Sequence, residues 1–154
     1  LFRSVMLVPH ERAVQDHEEG QRREQAALKG HSAVVLLYPV YWYATPSLLK
    51  EWLDLVWLHG FAYGPGGEAL QGKRLFVACT TGAGAKAYHA HGYNRFTMDE
   101  FLRPLEQTAH LCGMVWETPF VVHGAAVKDD AALKAEAERY RARIGSLLPA
   151  ETEV

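Results

Sequence analysis

The residues best equipped for chemistry in this 154-residue chain fall in two short stretches. One is "PVYWY", Pro39 to Tyr43, and the other is "TTGAGAKAYHAHGYN", Thr80 to Asn94. Tryptophan and tyrosine offer flat apolar faces with a polar tip. Glycine and alanine allow close approach to the backbone and leave its N–H groups unobstructed. Together the two stretches suit a planar ring system with polar edges. Other readings of the same residues are weaker in what they explain. The histidines of "HAH", His89 and His91, have no third ligand or carboxylate close by in sequence, so a zinc site is poorly supported. No GxxxxGK[ST] occurs and no GxGxxG opens a helix, so the glycines do not form a standard phosphate loop. Trp42 and Tyr43 taken alone also fit plain packing.

Elements that alternate in type must position these stretches. "AVVLLY" (33–38) is a short, unbroken apolar run rich in β-branched residues, the pattern of a parallel strand covered on both faces. Thr45 and Pro46 then read as N-cap and first helical residue. Leu48, Leu49, Trp52, Leu53, Val56 and Trp57 follow on one helical stripe, which Gly60 closes. Trp52 and Trp57 are expected in the core or in a subunit contact. A second buried strand, "RLFVAC" (74–79), delivers the glycine-rich stretch. Thr97 and Glu100 have the spacing of a capping box ahead of Phe101, Leu102, Leu105 and Ala109, with Pro104 as the alternative start of that helix. "MVWETPFVV" supplies a third strand that Pro119 breaks or places near an edge. A last helix from about Asp129 carries Leu133, Ala137, Tyr140, Ile144 and Leu147 at helical spacing. The charge run "HEEGQRREQ" reads as a solvated helix start. Strands alternating with helices imply an α/β layer fold with right-handed crossovers, in which ligands sit beyond the carboxyl ends of the strands. Both chemistry-bearing stretches follow such strand ends.

Composition narrows the function classes. The length is that of one domain, and 49% hydrophobic residues with a net charge of −2 describe a globular chain. No Lys/Arg cluster suggests a nucleic-acid groove. No run approaches the roughly 18 apolar residues of a membrane span, and no secretion signal is visible, so a cytoplasmic location is the expectation. Cys79 and Cys112 lie far apart in apolar surroundings and read as reduced core thiols.

The order and spacing of four motifs carry a resemblance. They are P-x-x-W-Y-x-x-P, L-L-K-x-W-x-D-x-V, G-F-A-Y-G-x-G-G-x-A-L-x-G-K and T-T-G, all within "YPVYWYATPSLLKEWLDLVWLHGFAYGPGGEALQGKRLFVACTTG", with "LRPLEQTAHLCGM" further on. From residue 24 to about 124 the chain strongly resembles the flavodoxin-like NAD(P)H:quinone oxidoreductases, and among them the ancillary flavoproteins of glutathione-regulated potassium-efflux systems. The resemblance implies a single flavodoxin-like domain over residues 1–154, a parallel sheet with helices on both faces, with 1–23 as a divergent or truncated segment. In that frame "FRSVMLVP" reads as the family's second strand, with the family's first strand and phosphate loop absent from this chain. The alternative makes it the first strand, followed by "PHERA" as a reduced phosphate loop.

The resemblance also assigns roles. Pro39 to Tyr43 would lie along a flavin, FMN or FAD, with Trp42 and Tyr43 contacting the ring and the backbone of Val40 and Tyr41 alongside. Thr80, Thr81, Gly82, Ala83 and Gly84 would hold the ring's pyrimidine edge through hydroxyl and backbone donors. Tyr88 would stand near the carbonyl edge and stabilise negative charge as hydride arrives. Many relatives have a histidine six residues after this tyrosine, where this chain has Asn94; His91 would substitute only if the loop shifts. The implied chemistry has two steps: NAD(P)H gives hydride to the flavin, and a quinone then takes the electrons in the same pocket. Homodimers with active sites at the subunit contact are the family habit, so the aromatic helix from Pro46 to Leu58 is a candidate interface. A potassium-efflux transporter is the implied larger partner, which would place the protein at the inner face of the membrane as a peripheral subunit. The rival reading is a flavin-poor regulatory subunit that acts by protein binding.

Overall fold

A computed structural model of the protein describes residues 17–147. The expected strand "FRSVMLVP" and the loop "PHERA" lie outside the described residues. The elements are α1 (His17–Lys29), β1 (Ala33–Pro39), α2 (Ser47–Val56), β2 (Arg74–Thr80), α3 (Met98–Leu111), β3 (Val115–Trp116), β4 (Phe120–Val122) and α4 (Asp130–Leu147). Single 3₁₀ turns occupy Ala85–Ala87 and Ala125–Val127.

The sheet is parallel throughout, with β2 at its centre. β1 pairs along the whole of β2, from Ala33 opposite Arg74 to Pro39 opposite Thr80. On its other side β2 is shared: β3 pairs with Arg74 and Leu75, and β4 with Ala78 to Thr80. The run expected as one strand, "MVWETPFVV", is therefore two short ones. Pro119 has no N–H to give a ladder, and the break falls beside it.

Both faces of β2 are buried, and so is most of β1, where Leu37 is exposed; this cover explains the lack of polar alternation. Val34, Leu36, Tyr38, Leu75, Val77 and Cys79 pack on one face with Leu28 of α1, Leu49 and Val56 of α2, and Leu102, Leu105 and Ala109 of α3. On the other face Val35, Phe76 and Ala78 meet Leu147, with Tyr140 and Ile144 of α4 against them. Phe76 stacks on Tyr140 at 6.3 Å between centroids, and the Arg143 guanidinium lies 5.4 Å from the Phe76 ring. Leu133 and Ala137, expected on the same apolar stripe of α4, are exposed instead. In that half of α4, Glu136 pairs with Lys128 at 3.1 Å.

Local signals set the helix boundaries. Asp129 caps α4 through its Oδ1, which accepts from the Ala132 N–H at 2.8 Å. Thr97 starts α3 with a complete capping box: its Oγ1 accepts from the Glu100 N–H at 3.2 Å, and the Glu100 carboxylate accepts from the Thr97 N–H at 2.8 Å. That Thr97 N–H bond, with a second from the Thr97 hydroxyl to the same carboxylate oxygen at 2.9 Å, holds the Glu100 carboxyl below its ordinary value. Pro104 lies inside α3 at an exposed position and does not start it. Thr97→Ala is expected to lower stability by about 1 kcal/mol, read as a lower urea midpoint at unchanged slope. In α2 the cap is Pro46, with no side-chain bond, so Thr45 does not cap as expected. The helix ends at Trp57, and Gly60 with φ +79° turns the loop beyond it. Trp57 is buried, with no hydrogen-bond partner for its Nε1 among the described residues, and Trp52 donates to Glu24 at 3.3 Å. Cys79 and Cys112 are free and buried, and burial pushes the Cys79 thiol up to about 11. Among the described residues no helix is long and apolar enough to cross a membrane.

Candidate functional site

The ends of β1 and β2 bring the two stretches side by side. The Val40 N–H donates to the Thr80 carbonyl at 2.9 Å, extending the ladder one residue beyond the strand and tying the roots of both loops. Tyr41 and Ala44 then exchange backbone hydrogen bonds of 3.1 and 3.0 Å, closing a tight turn around Trp42 and Tyr43. Those two residues have φ of +49° and +62°. Left-handed backbone at bulky residues costs on the order of 1–3 kcal/mol apiece and persists only where the surroundings enforce it. The turn leaves Trp42 93% exposed, which burial cannot explain.

Tyr43 is anchored. Its ring stacks on Phe101 of α3 with centroids 5.1 Å apart and planes at 25°, and its hydroxyl donates to the Asn94 Oδ1 at 3.3 Å. Phe101 also takes the edge of Tyr88 at 6.3 Å and of Phe96 at 5.8 Å. It is thus the hub of the aromatic cluster, a role that its place on a helical stripe does not reveal. The cavity bounded by Val40, Tyr41, Trp42, Tyr43 and Tyr88 measures about 400 Å³. A second groove of about 620 Å³ runs from the same turn between α2 and α3, past Leu53, Met98, Phe101 and Leu105. Both volumes are in the usual range for small-molecule sites.

The second loop is stitched to the end of β4. The Thr81 N–H donates to the Val122 carbonyl at 3.0 Å, the Gly124 N–H to Ala83 at 3.0 Å and the Ala125 N–H to Thr81 at 3.0 Å. The amides of Gly82, Ala83 and Gly84 donate to no partner among the described residues. A Cβ added at Gly82 or Gly84 would meet nothing within 4 Å. Gly92, by contrast, has no room: a Cβ there would lie 2.4 Å from the Ala87 carbonyl oxygen. That close approach lets the Asn94 N–H reach the same carbonyl at 2.9 Å and folds the loop back on Tyr88.

Each residue singled out from the sequence now has a place. Pro39 is exposed at the end of β1, opposite Thr80. Val40, Tyr41, Trp42, Tyr43 and Tyr88 share one cavity. Thr81 is only 3% exposed and its hydroxyl donates inside its own loop, to the Ala83 carbonyl at 2.8 Å. The Thr81 proton is thus committed within its own loop, and the donors left on this loop are backbone groups, the Tyr88 phenol and the hydroxyl of Thr80, half-buried at the end of β2. Asn94 reaches Tyr43 rather than Tyr88. His91 is exposed, its backbone N–H donating to the ring of His89 at 3.2 Å, and the fold does not bring it to Tyr88. The imidazole beside Tyr88 is His123, after β4, with ring centroids 5.2 Å apart. Burial lowers its pKa from the ordinary histidine value; the nearby Glu136 opposes this and Lys128 adds to it.

A flavin needs a flat apolar wall and donors along one edge of its ring. An exposed aromatic turn, unpartnered amides on the adjacent loop and open space over Gly82 and Gly84 fit that requirement.

A family model described as flavodoxin-like fold matches residues 4–144. The chain belongs to the flavodoxin-like NAD(P)H:quinone oxidoreductase family. It is 45% identical over 128 residues to the glutathione-regulated potassium-efflux system ancillary protein KefG of Pectobacterium atrosepticum, covering 83% of this chain and 70% of that protein. It is 34% identical to the crystal structure of general stress protein 14 from Treponema denticola in complex with FMN, with a TM-score of 0.80 over 90% of this chain and 80% of that one. An NADPH-quinone reductase from P. pentosaceus is 32% identical, with a TM-score of 0.74 over 78% and 71%. A structure described as a thermophilic tryptophan halogenase from Streptomycin violaceusniger is 38% identical, with a TM-score of 0.79 over 84% and 76%. The fold expected from the sequence, a flavodoxin-like parallel sheet with helices on both faces, is the fold observed.

Proposed function

We propose that this single-domain chain is a flavin-dependent NAD(P)H:quinone oxidoreductase that uses FMN. One observation carries the reading: an exposed Trp42 on a left-handed turn stands next to a loop whose Gly82, Ala83 and Gly84 amides lack partners. FMN is chosen over FAD because FMN is the group named with the Treponema denticola relative. When bound, the flavin would accept hydride from the nicotinamide and pass the electrons to a quinone.

The chain's own residues do the rest. Trp42 and Tyr43, with the backbone of Val40 and Tyr41, set the plane in which rings stack, and Phe101 keeps Tyr43 from swinging away. The amides of Gly82 to Gly84 supply fixed dipoles where negative charge develops, and they need no reorganisation to do so. Tyr88 places a phenol in the same cavity, where its O–H can donate to developing charge. Rings stacked on these aromatic walls would displace water from them and so strengthen each of these interactions. The nicotinamide and the quinone are proposed to use this cavity in turn. With FMN-loaded protein, initial rates at varied NADPH and quinone are expected to give parallel double-reciprocal lines; intersecting lines would rule out alternation.

A second reading, an ancillary subunit of a potassium-efflux system, is supported by the names of the relatives. It would make the protein peripheral at the inner face of a membrane. Leu48 and Leu55 of α2 and Leu58 just beyond it are exposed, and the groove between α2 and α3 is apolar. The proposed occupant of that face is a second copy, as a homodimer. Light scattering is expected to give twice the chain mass, and Leu48→Glu with Leu55→Glu to give the monomer. A wild-type monomer that still takes up FMN would remove the dimer from the account.

A further inference from the structure

The proposed chemistry leaves Tyr88 without its expected neighbour, because Asn94 is engaged by Tyr43 and His91 faces solvent. The fold brings up a different imidazole. His123 follows β4, and β4 pairs with the end of β2, from which the Tyr88 loop departs. The two rings lie 5.2 Å apart, tilted by 41°.

Hydrogen-bond valence fixes the state of that imidazole. Thr81 Oγ1 lies 2.8 Å from the Ala83 carbonyl oxygen and 3.2 Å from His123 Nδ1. A carbonyl oxygen cannot donate, so the short oxygen–oxygen contact requires the single hydroxyl proton of Thr81. The hydroxyl then has only lone pairs for His123, and Nδ1 must carry the hydrogen. The other nitrogen, Nε2, is left as the acceptor, and it has no hydrogen-bond partner among the described residues. Thr81 is almost fully buried, its N–H tied to Val122 of β4 and its carbonyl to Ala125 in the 3₁₀ turn beyond, so this arrangement is held by the backbone.

We infer that His123 is the positioning partner of Tyr88: fixed by Thr81 as the Nδ1–H tautomer, it packs its ring on the phenol and keeps Nε2 as the unpartnered base beside it. The inference rests on the oxidoreductase reading for its purpose but not for its geometry. The groups that face His123 are Tyr88 and Thr81 on the β2 loop, Lys128 after the second 3₁₀ turn, and Glu136 on α4, the last two paired at 3.1 Å. Burial disfavours the charged imidazole and lowers its pKa. On acidification its protonation sets a cation against the Tyr88 ring, so the phenol senses pH through its neighbour.

The test starts with flavin-free protein. Nitrogen-detected NMR is expected to show His123 with hydrogen on Nδ1, and the Tyr88 ring signals are expected to move at the His123 midpoint. Thr81→Val removes the acceptor and should abolish the single-tautomer signature, while Thr81→Ser should restore it. In FMN-loaded protein, His123→Gln should remove the acid limb of the NADPH–quinone pH profile that coincides with that midpoint. Hydrogen on Nε2 in the wild type, or Tyr88 signals that do not follow His123, would overturn the assignment. The wild-type spectra decide this even if the Thr81 variants fail to fold. A protein that shows the tautomer yet never binds FMN would remove the oxidoreductase reading and leave the geometry standing.

Discussion

Gly84→Val is expected to weaken FMN binding by more than about 100-fold, roughly 2.8 kcal/mol, while leaving the fold intact. The two effects separate because of where Gly84 lies. Its φ of −69° and ψ of 163° are open to any residue, and its Cβ would meet nothing within 4 Å. A valine there costs the protein little and fills the space in front of three unpartnered amides. The measurement is FMN titration by fluorescence quenching, alongside thermal unfolding of both proteins. Equal FMN affinity in the variant would mean that the open side of this loop is not where the ring sits. A fall in unfolding temperature without FMN would mean that Gly84 serves the fold.

Tyr88→Phe is expected to lower turnover with NADPH and quinone by about 100-fold, with little change in FMN affinity. Removing one hydroxyl keeps the ring that packs on Phe101 and His123, at 6.3 and 5.2 Å, so the cavity keeps its shape. What is lost is one donor aimed at charge that exists mainly during transfer, and such donors act on rate more than on binding. Stopped-flow reduction of FMN-loaded protein by NADPH would resolve which half of the cycle slows. An unchanged rate and pH profile would remove Tyr88 from the chemistry.

Much of the frame was legible in the residues. β1 and β2 are unbroken apolar runs because helices cover both faces of β2 and, apart from the exposed Leu37, of β1, and α3 announces itself through the Thr97–Glu100 spacing. The two loops that matter follow directly from the strand ends. What escaped was set by tertiary contact. Leu133 and Ala137 have the right helical phase but are exposed on the first half of α4. Thr81 looked like a ligand donor, yet a nearer acceptor in its own loop takes its proton. Nothing in an aromatic pair predicts that Trp42 and Tyr43 adopt left-handed backbone, a conformation enforced by the Tyr41–Ala44 pairing. Phe101 and His123 were missed for the same reason. One lies in the first turn of α3 and the other beyond β4, and only the folded sheet brings both to Tyr88.

The most direct measurement is the visible absorption spectrum of the natively purified protein, followed by anaerobic addition of NADPH. The account predicts the yellow absorption of oxidised flavin, either as purified or after FMN is supplied, and its bleaching by NADPH with recovery when a quinone is added. A colourless protein that takes up no FMN, or bound flavin that NADPH does not bleach, would contradict it.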